Sequence, residues 1–259
     1  MYYNLKIMKI VRFSMNNNPR YGVLEDNIIS ELCNAPYCEL TFSGQKFALE
    51  AVKLLAPCEP TKIVALGLNY HAHAKELDQK IPTSPLTFLK PSTAVIGPHE
   101  NIIYPPQSQR VDYEGEFAAV IKKSCWCVPQ EKALEYVLGY TCFNDITARD
   151  LQKLDGQWTR AKGFDTFACV GPWLETDLNP QNCQIHTYLN GQLRQDGNTA
   201  DQIYSLTEII AFISRVMTLL PGDIIATGTP PGIGEIKKGD IVRVEIDGIG
   251  SLINGVSNR

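Results

Sequence analysis

Short apolar runs separated by polar turn residues recur along most of the chain, a pattern that predicts β-strands more often than helices. Residues 45–57 differ, because their apolar side chains are spaced as on one face of a short helix that ends before Pro57. Together with the strands before it, this helix predicts a small, β-rich N-terminal module over residues 1–58. The predicted strands of this module are residues 9–13, 21–26 and 27–32.

The remainder, residues 59–259, is predicted to form one larger domain that is also rich in strands. Residues 81–107 contain six prolines, which favours loop and short edge strand. Because strands outnumber helices without regular βαβ alternation, we predict an α+β fold with a β-rich core. The predicted helices are residues 71–80, 130–139, 147–153 and 205–222. The predicted strands are residues 62–70, 140–146, 223–229, 241–248 and 250–256.

Composition and charge narrow the possible classes of function. The chain has 259 residues, and its hydrophobic fraction of 44% is ordinary for a folded protein. A net charge of −4 and a pI of about 5.6 argue against a nucleic-acid-binding protein, which needs clustered Lys and Arg. No apolar run reaches the ~18 residues of a membrane span, and residues 1–13 lack the features of a signal peptide. Because most of its eight cysteines are expected to be reduced and buried, we predict a cytoplasmic protein.

Two glutamates lie one residue apart in the otherwise apolar run 110–121. In a strand, side chains alternate between the two faces, so Glu114 and Glu116 share one face with Asp112. Burying a charged carboxylate costs on the order of several kcal/mol of folding free energy unless a cation pairs with it. The pair therefore indicates either a solvated strand face or a cation site.

A third acid, Asp145, ends the predicted strand 140–146 just before a helix. Carboxylates at strand ends that face a cleft commonly hold metal ions. A set made of Glu114, Glu116 and Asp145 offers oxygen ligands alone, which suits Mg²⁺, Mn²⁺ or Ca²⁺ better than zinc or copper. Such a set leaves coordination positions for a chelating substrate.

The predicted helix 71–80 carries a histidine and a glutamate on one face. His73 and Glu76 are three residues apart, so a carboxylate there raises the basicity of the imidazole and fixes its tautomer. This pair is typical either of a general base that activates water or of a solvated helix surface. Further along, Lys162 lies among small and aromatic residues, which indicates either a partly buried ammonium with an anionic partner or an ordinary surface lysine.

Eight segments, taken in sequence order, resemble the fumarylacetoacetate hydrolase family in its short branch, similar to acylpyruvases and to 2-hydroxyhepta-2,4-diene-1,7-dioate isomerases. The resemblance runs from about residue 62 to residue 256. The segments are GLNYHAHAKE, PLTFLKPSTAVIGP, VDYEGEFAAVI, GYTCFNDITARDLQ, WTRAKGFDTF, NGQLRQDGNT, LLPGDIIATGTPPGIG and GDIVRVEIDGIG.

The resemblance implies a mixed β-roll fold, usually in a homodimer, and it implies a role for each matched residue. The metal, Mg²⁺ or Mn²⁺, would be held by Glu114, Glu116 and Asp145. The water-activating dyad would be His73 and Glu76 on a helix that closes over the site, with Lys162 as a further catalytic residue. The residues expected to bind or order the substrate are Arg149, Gln152 and Thr229.

The reaction implied by the resemblance is metal-dependent hydrolysis of a C–C bond in a 2,4-diketo acid of the acylpyruvate or fumarylpyruvate type. Because the departing carbon becomes a pyruvate enolate that the metal stabilises, the same site would serve decarboxylation of oxaloacetate. An isomerase or tautomerase of a dienedioate or of oxaloacetate is the first alternative, and a non-catalytic protein that binds metal and keto acid is the second. The partner is in each case a small 2-keto acid.

Overall fold

The computed structural model describes residues 8–76 and 78–258, so the expectations for residues 1–7 lie outside it. Within these ranges the helices are α1 (His71–Glu76), α2 (Arg149–Asp155), α3 (Thr159–Lys162) and α4 (Leu206–Val216). Short 3₁₀ helices cover Leu49–Ala51, Ser92–Ala94, Gln130–Tyr136 and Thr199–Asp201. The strands are β1 (Lys9–Met15), β2 (Asn18–Glu25), β3 (Ile28–Leu32), β4 (Phe42–Ala48), β5 (Lys53–Leu54), β6 (Lys62–Gly67), β7 (Leu86–Pro91), β8 (Val95–Ile96), β9 (Ile102–Ile103), β10 (Val111–Tyr113), β11 (Gly115–Ile121), β12 (Val137–Asp145), β13 (Thr147–Ala148), β14 (Ala168–Glu175), β15 (Gln184–Leu189), β16 (Gln192–Asn198), β17 (Ile224–Ala226), β18 (Gly234–Glu235), β19 (Ile241–Ile246) and β20 (Gly250–Ser257).

The largest sheet contains twelve strands, in the order β4-β3-β2-β1-β14-β12-β11-β17-β6-β7, with β5 paired to β1 and β8 paired to β14. The N-terminal strands join this sheet because β1 pairs antiparallel with β14, where Ile10 lies opposite Leu174. The small N-terminal module therefore extends the main sheet. The exact boundary after residue 58 stays a prediction.

Strand β11, near the middle of this sheet, is buried on both faces, as its nearly continuous apolar sequence favours. Phe117 and Ala119 pack into one hydrophobic cluster, while Ala118 and Val120 pack into another. Since side chains alternate along a strand, Glu116 shares the face of Ala118 and Val120. The glutamate is thus carried into the interior by the packing of its apolar neighbours.

Two smaller sheets complete the fold. A five-stranded sheet has the order β16-β15-β19-β20-β9, and a three-stranded sheet has the order β13-β10-β18. The chain leaves the three-stranded sheet after β10 and enters the twelve-stranded sheet with β11, and Glu114 is the residue at this crossing. The α+β class with a β-rich core is confirmed.

The longest predicted helix is confirmed as α4, although it is shorter than its apolar pattern. It begins with a capping box, in which Ser205 Oγ accepts a hydrogen bond from the Glu208 amide and Glu208 accepts one from the Ser205 amide. Ile209 and Ile213 are buried, whereas Val216 at the end is 66% exposed. The helix therefore ends at Val216, before the predicted end at residue 222, and Leu219 beyond it is buried in extended chain that bridges to Cys125.

One helix prediction is wrong, and a second holds only as a shorter 3₁₀ helix. Residues 45–57 contribute to β4, a 3₁₀ turn and β5, because pairing of Phe47 opposite Ile29 satisfies their backbone in the sheet. Residues 130–139 form a 3₁₀ helix that ends at Tyr136, since the residues after it pair with β11 as the start of β12. The strands predicted at residues 9–13, 21–26 and 27–32 are confirmed as parts of β1, β2 and β3.

Across residues 8–76 and 78–258, none of the helices has the length and apolar character needed to cross a membrane. All eight cysteines are free thiols, and five of them are buried as predicted, whereas Cys33, Cys38 and Cys127 are exposed.

Candidate active site

The three predicted acids, Glu114, Glu116 and Asp145, lie together in the interior. One carboxylate oxygen from each lies within 4.8 Å of the others, and the residues are 6%, 1% and 0% exposed. Antiparallel pairing of β11 with β12 produces this convergence, because the Asp145 amide donates to the Glu114 carbonyl oxygen over 2.8 Å. The Glu114 amide in turn donates to Asn144 Oδ1 over 3.0 Å, which fixes the chain at the crossing between sheets.

Three cationic side chains surround these acids. Lys162 Nζ donates to Glu114 Oε2 over 2.8 Å and to Asp145 Oδ2 over 2.6 Å, so its ammonium is buried and paired. Arg149 forms an ion pair with Glu114, and Lys90 forms one with Asp145. Three carboxyl groups and three cationic side chains therefore face one another in a largely buried region, where electrostatic interactions are stronger than in bulk water.

The pKa values of these groups follow from burial and from the opposite charges. Burial alone would raise the pKa of Glu114, but the charges of Lys162 and Arg149 hold it well below its usual value. Burial would lower the pKa of Lys162, yet the charges of Asp145 and Glu114 raise it. The ion pairs thus keep Glu114 and Lys162 charged inside the protein.

Lys90 is a residue of the site that was not predicted from the sequence. Its ammonium also donates to the Ile146 carbonyl oxygen over 3.1 Å, and the residue is 1% exposed. Burial lowers the pKa of Lys90 despite the opposing charge of Asp145. The only signal in the sequence is its two-residue spacing from Phe88 in a strand, which places both side chains on one face of β7.

Glu116 is the acid of the three that forms no ion pair with a protein cation among the described residues. Its Oε2 accepts a hydrogen bond from the Gly228 amide over 2.8 Å, whereas its buried Oε1 has no hydrogen-bond partner among the described residues. Burial and the charges of Asp145 and Glu114 raise the pKa of Glu116 well above its usual value. An unpartnered oxygen beside two other carboxylates fits a divalent cation with oxygen ligands, as Mg²⁺ and Mn²⁺ prefer.

The predicted dyad forms on α1. His73 Nδ1 lies 2.8 Å from Glu76 Oε2, and the imidazole is nearly buried at 5% exposure. The other Glu76 oxygen accepts a hydrogen bond from the Gly232 amide over 3.0 Å, so the loop after β17 holds the carboxylate. With Nδ1 directed at a carboxylate, Nε2 is the nitrogen left to act as a base.

A cavity of about 260 Å³ brings the candidate residues to one surface. Glu116 and Asp145 are buried behind this surface, and Glu76, which is exposed, also lies outside the lining. Phe88 and Trp158 form an apolar wall in edge-to-face contact, with ring centroids 5.2 Å apart. The predicted catalytic, metal-ligating or substrate-binding residues that line the cavity are His73, Glu114, Arg149, Gln152, Lys162 and Thr229.

The three predicted substrate-binding residues are held by neighbours. Arg149 donates to Gln152 Oε1 over 2.7 Å and also pairs with Asp112 and Glu114, so its guanidinium is fixed by three partners. Thr229 Oγ1 donates to the Gly115 carbonyl oxygen over 2.8 Å, which attaches the loop after β17 to the start of β11. These contacts hold side chains from α2 and from this loop in the lining of one cavity.

Comparison with known proteins gives this arrangement a context. The family model for the C-terminal domain of fumarylacetoacetate (FAA) hydrolase matches residues 62–257, and the Rv2993c-like N-terminal model matches residues 8–57. A rat (Rattus norvegicus) protein named oxaloacetate tautomerase Fahd2a, mitochondrial, is 41% identical over 217 residues, which are 79% of this chain and 69% of the relative.

Solved structures show the same likeness in three dimensions. The crystal structure of 2-hydroxyhepta-2,4-diene-1,7-dioate isomerase from Mycobacterium marinum is 41% identical, with a TM-score of 0.91 over 97% of this chain and 99% of the other. Maleylpyruvate hydrolase from Sphingobium sp. SYK-6, solved in complex with manganese(II) ion and pyruvate, is 31% identical, with a TM-score of 0.81 over 97% and 99% of the two chains. This protein therefore belongs to the fumarylacetoacetate hydrolase family.

Proposed function

We propose that this protein hydrolyses a C–C bond in 2,4-diketo acids of the acylpyruvate or fumarylpyruvate type, with a divalent cation as cofactor. One observation carries the proposal: His73, the imidazole of the dyad, lines the same cavity as Glu114, whose carboxylate belongs to the buried triad. A base and a cation site that face one cavity are the two elements that hydrolysis of a diketo acid requires.

The acids provide the cation site in this proposal. Glu114, Glu116 and Asp145 would hold Mg²⁺ or Mn²⁺, which supplies a Lewis acid for the keto and carboxylate oxygens of the substrate. The unpartnered Glu116 oxygen and the manganese(II) and pyruvate bound to the Sphingobium relative support this assignment.

The chain's own side chains would perform the proton transfers. His73 Nε2 takes a proton from water while Glu76 holds Nδ1–H and stabilises the imidazolium that forms. Lys162 has three N–H donors, of which two bind Glu114 and Asp145. The third donor is available to stabilise the oxyanion that develops on the attacked carbonyl.

A tautomerase or isomerase is the second candidate, and the comparisons favour it specifically. The relatives named as a tautomerase and as an isomerase are 41% identical to this chain, against 31% for the maleylpyruvate hydrolase. In that reaction His73 would take a proton from carbon and return it elsewhere on the substrate, without water as nucleophile. Decarboxylation of oxaloacetate would use the same cation site, and a non-catalytic keto-acid-binding protein would use the site for binding alone.

A turnover assay with and without chelator tests these possibilities. We expect pyruvate to form from acetylpyruvate and fumarylpyruvate with Mg²⁺ or Mn²⁺, to stop with EDTA, and to resume when the cation is restored, because the triad needs a counter-charge. Enol–keto conversion of oxaloacetate without cleavage of acetylpyruvate would instead support the tautomerase. Binding of 2-keto acids without any turnover would support the alternative of a non-catalytic binding protein.

The homodimer and the cytoplasmic location implied by sequence and resemblance stay predictions. Analytical ultracentrifugation of the purified chain is expected to give the mass of two copies, and a monomer at micromolar concentration would contradict it.

A further inference from the structure

We propose that Lys153 recognises a second carboxylate at the far end of the substrate, so that this enzyme selects keto acids with two carboxylates. The inference rests on the proposed function, because it names the substrate class of the same cavity. It assigns specificity to a residue that has no role in the chemistry.

Lys153 differs from the other cations in the lining of the cavity. Arg149 and Lys162 each form ion pairs with buried acids. The Lys153 side chain also lines the cavity, but it is exposed, and among residues 8–76 and 78–258 no carboxylate lies within 4.0 Å of its ammonium. An anionic group of a ligand could therefore pair with Lys153 without displacing a protein carboxylate.

Lys153 lies about one helical turn after Arg149 on α2. Arg149 and Lys153 are four residues apart, so they occupy the same face of the helix about 6 Å apart along its axis. Because Arg149 pairs with Glu114, it marks the end of the cavity where the keto and carboxylate oxygens would bind. One helical turn is comparable to the separation of the two carboxylates in a keto acid of four or five carbons.

The apolar part of the lining fits the carbon chain between those carboxylates. Leu66, Phe88 and Trp158 offer no charge, so a second carboxylate would not be stabilised against them. A neutral acyl end would lose nothing by lying near Lys153 but would gain no ion pair. The cavity thus favours the diacid through one added contact rather than by excluding the monoacid.

Binding of two ligands of equal carbon number tests the proposal. 2-Oxoglutarate ends in a second carboxylate, whereas 2-oxopentanoate ends in a methyl group. Neither is a 2,4-diketo acid, so neither can be hydrolysed at a C–C bond. We expect Lys153→Met to weaken 2-oxoglutarate about tenfold, as loss of one partly desolvated ion pair does, and to leave 2-oxopentanoate within about twofold. Isothermal titration with Mn²⁺ present at fixed ionic strength gives both dissociation constants.

Two further variants control for charge and for folding. Lys153→Arg should retain the preference for the diacid, because it keeps the cation. Lys132→Met removes an exposed lysine that does not line the cavity, and it should behave as the unmodified protein. Equal thermal unfolding temperatures for all variants would show that each is folded.

The inference would be overturned if Lys153→Met left the ratio of the two dissociation constants unchanged, either because both affinities fall by the same factor or because neither changes. If the unmodified protein turns over keto acids while that ratio stays unchanged, the proposed function survives and the role of Lys153 does not. If the unmodified protein neither binds the two ligands nor turns over any keto acid, both proposals fail together.

Discussion

Replacing His73 with asparagine is expected to lower kcat for acylpyruvate hydrolysis by about 10²–10⁴-fold, the contribution of a positioned general base. Asparagine fills similar space and keeps a polar group beside Glu76, but it cannot accept a proton from water near neutral pH. His73 lies on α1, whereas the three acids lie on β11, on β12 and at the crossing before β11, so binding of Mn²⁺ should be unchanged. Steady-state kinetics and titration of Mn²⁺ measure the two effects separately.

His71→Asn is the matched control for this variant. His71 lies on the same helix, is exposed, and does not line the cavity, so its replacement should leave kcat close to that of the unmodified protein. A His73→Asn variant that retains the full hydrolytic rate would contradict the assignment of the base. If the unmodified protein tautomerises oxaloacetate but hydrolyses no acylpyruvate, and His73→Asn loses the tautomerase activity, His73 is still the base but the reaction is not hydrolysis.

The triad could be predicted because each member follows from a local rule. Alternation along a strand places Glu114 and Glu116 on one face, and Asp145 ends a recognisable strand. What the sequence could not give is the partner of each acid. Lys90 reaches Asp145 because β8, which follows β7, pairs with β14 at Ala168, the residue that also lies opposite Asp145. This arrangement depends on the order of strands that are far apart along the chain. Local periodicity contains no information on that order.

The wrong helix at residues 45–57 has a related cause. Its apolar residues fit a helical spacing, yet they also allow a strand followed by a short turn, and short apolar runs do not separate the two. The sheet edge decides, because β3 offers backbone partners to β4 along residues 42–48. Tertiary pairing therefore overrides a weak local preference.

The charges at the site explain why folding tolerates three buried acids. Lys162 bridges Glu114 and Asp145, while Lys90 and Arg149 each add one positive charge. Hydrogen-bonded, opposite charges offset much of the desolvation cost of each partner. Glu116 is the exception, since its Oε1 has no partner among the described residues, and it is the acid at which we expect a bound cation to have the greatest effect.

Replacing Glu116 with glutamine is expected to abolish tight cation binding and to reduce turnover to the level of the chelated enzyme. In the unmodified protein, a cation at 100 times its dissociation constant should stabilise the fold by about 2.7 kcal/mol, whereas the variant should gain almost nothing. Thermal unfolding with and without Mn²⁺ measures this difference. Glu175→Gln is the control, because Glu175 is also a buried glutamate, at 2% exposure, but lies outside the triad.

The same variant should stabilise the protein when no cation is bound, and the effect should grow with pH. Because the pKa of Glu116 is raised in the folded state, the native protein retains a proton that the unfolded chain releases near pH 4.5. The Glu116 contribution to stability therefore falls as pH rises above that value, and glutamine, which does not ionise, removes this loss. If Glu116→Gln with chelator is less stable than the unmodified protein with chelator at pH 7 to 8, burial of the Glu116 charge does not destabilise the fold. If the variant keeps the full increase in unfolding temperature with Mn²⁺, Glu116 is not a ligand of the cation.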